Sequence, residues 1–173
     1  MCKRFALDLD WDAIAAQFSV AEEDVRGDVL PRPSYNIAPT QNIAVIAQGK
    51  DGHRHLTGAY WSLIPSWSPG KTLPYPTYTR GGIRSRQIHL RGIDPLPAHD
   101  HSASGYYEWR GRRPFYFSPE MESTALAMAG LYSWRRPSAA SLWQLTATIL
   151  TCPAVGWAGR RCMTVCRCWC RPV

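Results

Sequence analysis

Short apolar runs, each stopped by turn residues, recur along the 173 residues and leave room for little besides a sheet. Ile43 to Ala47 reads as a buried strand, Asp51-Gly52 as a hairpin turn, and Leu56 to Ile64 as the partner strand, running into Pro65-Ser66-Trp67. Ser104 to Trp109 and Pro114 to Phe117 flank a turn at Arg110 to Arg113. Ala125 to Trp134 and Leu145 to Thr151 read as two further strands. Before them, Tyr35-Asn36-Ile37-Ala38-Pro39-Thr40 reads as an extended approach to a turn. Only Asp12 to Phe18 has helical apolar spacing, through Ile14, Ala15 and Phe18, with Asp10 or Asp12 available as N-cap. Residues 78–102 carry neither period and are rich in Arg, Gly and His. These runs predict an α+β fold: one compact domain over residues 1–173, dominated by a mixed or antiparallel sheet.

Composition narrows the function classes. A net charge of +7 and a pI near 9.3 favour a polyanionic partner such as nucleic acid. No apolar run reaches the length of a membrane span. The first residues hold Asp8, Asp10 and Asp12 and no basic-then-apolar leader, so a cytoplasmic protein, nucleoid-associated in a bacterium, is expected. Four of the six cysteines crowd into Cys162, Cys166, Cys168 and Cys170, unlike an extracellular disulfide framework. Their alternate-residue spacing suits no tetrahedral centre, and no metal is expected. The pairs His53/His55 and His99/His101 read as solvated turn residues.

Two positions carry chemistry. Removal of Met1 would leave Cys2 as the N-terminus, with an α-amine of pKa about 7.7 and a thiol of pKa about 8.5 joined through a two-carbon unit. Both are partly nucleophilic near neutrality and together they capture an aldehyde: the amine forms an imine, and the thiol closes on it to a thiazolidine. Glu108 lies among aromatics, where desolvation raises a carboxyl pKa and suits it to proton transfer. Tyr35, Trp61, Trp67 and Trp109 offer stacking faces for bases.

Five motifs then occur in a fixed order. They are Met-Cys-x-Arg-Phe at the N-terminus, Tyr35 to Thr40, Trp61-Ser62-Leu63-Ile64-Pro65-Ser66-Trp67, Ala103 to Trp109, and Ala129-Gly130-Leu131-Tyr132. In these the chain resembles the SOS response-associated peptidase (SRAP) family of abasic-site shielding proteins, over about residues 1–77 and 103–157. The resemblance implies a β-barrel-like core flanked by helices and a basic groove for single-stranded DNA. It implies that Cys2, exposed by self-removal of Met1, forms a thiazolidine with the ring-opened aldehyde of an abasic site. Cys2 and Glu108, the latter for proton transfer, are then the catalytic residues, and the DNA-binding residues are Arg4 and Arg80 on phosphates, Asn36 near the active site, and Trp61 and Trp67 as wedges or stacking faces. No cofactor is implied, the partner is single-stranded DNA with abasic sites, and a monomer is expected.

The chain departs from the family at Lys3, where glycine is usual, and at Tyr78-Thr79-Arg80-Gly81, where an Asn-Ala-Arg motif should stand. It also lacks the late His-x-Arg-Met-Pro motif, whose histidine assists proton transfer, and is shorter than is usual. With GC-rich codons, Cys162 to Pro172 read from the third base of the first codon gives His-Asp-Arg-Met-Pro-Val-Leu-Val-Pro-Pro. Residues 80–102 likewise permit family-like sequence from the second base, so two frameshifts are expected at 78–102 and 159–173. Two other readings stand beside the leading one: a cysteine peptidase acting on proteins, and an inactive remnant that only binds DNA.

Overall fold

The computed structural model describes residues 3–49, 51–64, 68, 79–81, 98–119, 123–135, 144–151 and 168–172. Among the described residues, eleven strands form two sheets, accompanied by one helix of more than a turn. In chain order they are β1 Arg4–Leu7, α1 Trp11–Phe18, β2 Ser34–Ile37, β3 Asn42–Gln48, β4 Arg54–Trp61, β5 Thr79–Gly81, β6 Ala98–Ala103, β7 Gly105–Arg110, β8 Arg113–Pro119, β9 Leu126–Arg135, β10 Gln144–Thr151 and β11 Cys168–Pro172. One sheet runs β11-β8-β7-β1-β2 and the other β4-β3-β6-β9-β10-β5.

The sheet-dominated α+β class is what the chain adopts. The strands build two sheets instead of one closed barrel, although a short parallel contact of β10 with β4, Thr146 to Tyr60 and Ala147 to Trp61, curls the second sheet back on itself. Flanking helices are few: the described residues add to α1 only a 3₁₀ turn at Glu22–Asp24.

The core lies between the sheets. β3 is buried at every residue from Ile43 to Ala47, as expected of a strand covered on both faces, and it is paired on both edges, with β4 and β6. Phe5 and Leu7 of β1, Ile37 of β2, Leu56 and Trp61 of β4 and Leu126 of β9 join it there. The helix docks through Ile14, Ala15 and Phe18, the expected stripe. Its orientation is fixed by Gln17, whose side-chain amide both donates to and accepts from the backbone of Ala125 at 2.8 Å. Arg54 donates to the Phe18 carbonyl at 2.9 Å and so satisfies one open carbonyl of the last turn.

β4 ends at Trp61 instead of Ile64, because the Ser62 amide folds back to the Tyr60 carbonyl at 2.9 Å. His99 and His101 lie on β6, not in a turn. His53 and His55 do flank the β3–β4 turn, but both rings face the buried carboxylate of Asp24, at 3.2 and 3.1 Å. Of the cysteine cluster, Cys168 and Cys170 fall on β11, and Cys162 and Cys166 lie outside the described residues.

Candidate functional site

β1 sits between β2 and β7, so the first strand of the chain is gripped on both edges. Its register with β7 sets Arg4 opposite Tyr107, Phe5 opposite Tyr106 and Ala6 opposite Gly105. Side chains alternate between faces along a strand. Phe5 and Leu7 therefore enter the core, where the Phe5 ring meets that of Trp61 at 5.1 Å, while Arg4 and Ala6 face the other way.

That outer face is roofed with tyrosines. Ala6 is wholly buried yet takes no part in the core cluster, and the register puts the Tyr107 and Tyr116 side chains on its face of the sheet. The two rings pack 4.9 Å apart. A Cβ at Gly105 would collide with the Tyr116 ring, so the motif glycine is what allows that ring to lie flat across the sheet. Burial, foremost, and the neighbouring Tyr107, Asp8 and Tyr35 push the Tyr116 hydroxyl up to about 12. The hydrogen bond from the Tyr35 hydroxyl to Asp8, together with that carboxylate's charge, likewise raises the pKa of Tyr35.

β2 carries a bulge. Phe5 pairs with Ile37 but Leu7 with Ser34, so Tyr35 and Asn36 together oppose Ala6. A bulge breaks strict alternation, and Tyr35 and Asn36 both serve the outer face. Asn36 Oδ1 accepts from Arg4 Nη1 at 2.5 Å, and the Tyr35 carbonyl accepts from the Tyr107 hydroxyl at 3.1 Å.

The structure thus brings Arg4 and Asn36 together. Glu108 is next to Tyr107, the cross-strand partner of Arg4, but on the alternate face, partly buried opposite Phe115. Trp61 is a correction: its ring is fully enclosed in the core and presents no stacking face, and its backbone is tied to residues 40 and 41 at 2.9 Å each. Thr40 holds that junction at φ 73, a conformation rare for a β-branched residue. Tyr35 and Trp109, by contrast, are 69% and 44% exposed. Arg80 is on β5 at the edge of the other sheet, opposite Leu150, and its side chain lies outside the described residues, as do Cys2 and Trp67. The exposed arginines of the β7–β8 turn, Arg110, Arg112 and Arg113, extend the basic character of this end.

Among the described residues no group of three or more His, Cys, Asp or Glu is set to hold a metal ion, and no helix is long and apolar enough to cross a membrane. The residues that sequence reasoning missed are Tyr107, Tyr116 and Asp8. The aromatic doublet Tyr106-Tyr107 after Gly105 was visible in the sequence, but the register that pairs Gly105 with Ala6 was not.

The model of the SOS response associated peptidase (SRAP) family matches residues 1–90 and 101–161. The chain belongs to the SRAP family. Among curated SRAP-like relatives, the abasic site processing protein YoqW of Bacillus subtilis is 32% identical over 165 residues, covering 87% of this chain and 68% of that protein. The abasic site processing protein YoaM of the same organism is also 32% identical, with 87% and 67% covered. The fold is similar to that of a crystal structure from Bordetella bronchiseptica, with TM-score 0.70, 18% identity, and 98% of this chain and 82% of that chain covered. One from Bacteroides thetaiotaomicron gives 0.67 at 18% identity, with 87% and 68% covered.

Proposed function

We propose that this protein processes abasic sites in single-stranded DNA by capping them covalently through Cys2. The observation that carries the reading is the identity of 32% with relatives named abasic site processing proteins, beside a family match that spans residues 1–90 and 101–161. Three local features support it. Chain connectivity keeps Cys2 within about 7 Å of Arg4. Arg4 and Lys3 are exposed, as are the arginines of the β7–β8 turn on the neighbouring strands, and a phosphate chain would be attracted to such charges. Tyr35 and Trp109 take over the stacking role that the buried Trp61 cannot fill.

Cleavage of the Met1–Cys2 bond consumes one water and comes first. The freed amine then adds to the aldehyde carbon of the ring-opened sugar, and loss of water gives the imine. The Cys2 sulfur adds to the imine carbon, and the nitrogen takes up the thiol proton. One C–N and one C–S bond have formed, and the aldehyde oxygen has left as water. Glu108 carries protons in ring opening and imine formation, and Arg4 and Arg80 hold phosphates. The aldehyde is itself the electrophile, so the chemistry needs neither metal nor cofactor.

The test is a denaturing gel of purified protein with single-stranded DNA carrying one abasic site, beside Cys2→Ala. A heat-stable shifted band that requires Cys2 is expected, and Cys2→Ala keeps only weak, salt-sensitive binding. Absence of the band from folded protein lacking Met1 would overturn the reading. Cleavage of other proteins in trans would favour a general cysteine peptidase instead.

A further inference from the structure

We propose that Tyr107 is a positioning residue: its hydroxyl pins the β2 bulge that turns Asn36 onto Arg4, and so sets the geometry of the strand that leads from Cys2. The proposal rests on the function proposed above and adds to it a residue that touches neither DNA nor the reacting atoms.

The argument begins with the bulge. A bulge adds one residue to a strand, takes backbone groups out of the ladder and re-aims side chains. Here it places both Tyr35 and Asn36 opposite Ala6, which is what brings Asn36 to the face of Arg4. Such a feature needs an external restraint, because the ladder no longer fixes it. Tyr107 supplies one from two strands away. It stands on β7, leans over β1 and donates to the Tyr35 carbonyl of β2 at 3.1 Å. The path is open because Ala6 and Gly105, directly paired beneath it, have almost no side chain. The ring is held from the other side by Tyr116 at 4.9 Å and by Trp109 at 6.4 Å. Arg4 is therefore bracketed: it is the cross-strand partner of Tyr107, and its guanidinium is bonded to the asparagine whose bulge Tyr107 holds.

Removing the hydroxyl alone keeps the ring and its packing. Tyr107→Phe should slow adduct formation at saturating abasic DNA about three- to tenfold, the loss expected for one hydrogen bond. The affinity for intact single-stranded DNA, to which Arg4 adds one phosphate contact, should fall by less than the rate does. Amide exchange over residues 34–37 should quicken. Tyr132→Phe is the control, because Tyr132 also donates to a backbone carbonyl, that of Gln48 at 2.8 Å, but in the other sheet. It should cost stability and leave the adduct rate of folded protein unchanged.

An unchanged rate in Tyr107→Phe overturns the proposal. So does a loss of affinity equal to the loss of rate, which would make Tyr107 a DNA contact, and so does an equal slowing in Tyr132→Phe. If the unmodified protein forms no Cys2-dependent adduct, the proposed function fails on its own. The exchange at 34–37 then decides the role of Tyr107: faster exchange in Tyr107→Phe upholds the clamp and unchanged exchange removes it.

Discussion

Tyr116 shows how one residue reports on the whole roof over β1. Its ring lies across Gly105, and burial first, then the charges of its neighbours, hold its pKa at about 12 against the ordinary 10.0. The fold therefore favours the neutral phenol. That contribution to stability is complete below pH 10, fades as the pH rises toward 12, and is lost above it. Alkaline titration of phenolate absorbance, taken as the difference between the protein and Tyr116→Phe, should show one hydroxyl ionising near 12. A difference ionising near 10 would mean that the roof is open to solvent. Little of this was legible beforehand. The motif residues Arg4, Asn36 and Glu108 could be named from the sequence, because their order along the chain is distinctive. The bulge that joins the first two could not, since it is a register shift between β1 and β2 that neither strand carries alone. Trp61 was misread for a related reason: an aromatic in a motif looks the same whether its face is offered to a base or spent against Phe5.

At the scale of elements, legibility followed how much of each element's stability is local. The helix was readable, including the cap: Asp10 has extended backbone and accepts from the Asp12 amide. Its C-terminal end is closed by Ser19 at φ 55, whose amide reaches the carbonyls of Ala15 and Ala16. That left-handed cap is a position where glycine is preferred and any other residue carries strain. Ser19→Gly should therefore stabilise the protein by about 0.5–1 kcal/mol, seen as a thermal midpoint higher by about 1–4 °C. A lower midpoint would mean that the serine side chain contributes more than its strain costs. β6 was the opposite case. It lies in the stretch without period, yet it is paired with β9 over its whole length and with β3 from His99 to His101. Backbone hydrogen bonds from two neighbours hold such a strand whatever its side chains alternate, so periodicity had nothing to detect.

For the molecule as a whole, the proposed changes of reading frame bear on both stability and chemistry. The family match breaks between residues 90 and 101, inside the stretch 78–102, and ends at residue 161, one residue before the shifted reading begins at Cys162. Beyond it β11 still pairs with β8, from Cys168 opposite Pro119 to Pro172 opposite Phe115. Pairing of this kind is made by the backbone, and it can persist while the side chains belong to another frame. The shifted reading would put Val-Leu-Val, residues that favour a strand, into this region in place of Arg-Cys-Trp-Cys. It would also restore a histidine for proton transfer, a role that general acid–base catalysis values at about a hundredfold or more in rate. A chain recoded to read His-Asp-Arg-Met-Pro-Val-Leu-Val-Pro-Pro over 162–172 should then gain about 1–2 kcal/mol in denaturant unfolding and form the abasic-site adduct faster. The coding DNA decides the premise: codons over 162–172 that cannot be shifted into this motif would end the idea, whatever the recoded chain does. If the codons permit it but the recoded chain gains neither stability nor rate, then β11 as it stands is a working strand, and Glu108 carries the proton transfer without a histidine from this segment.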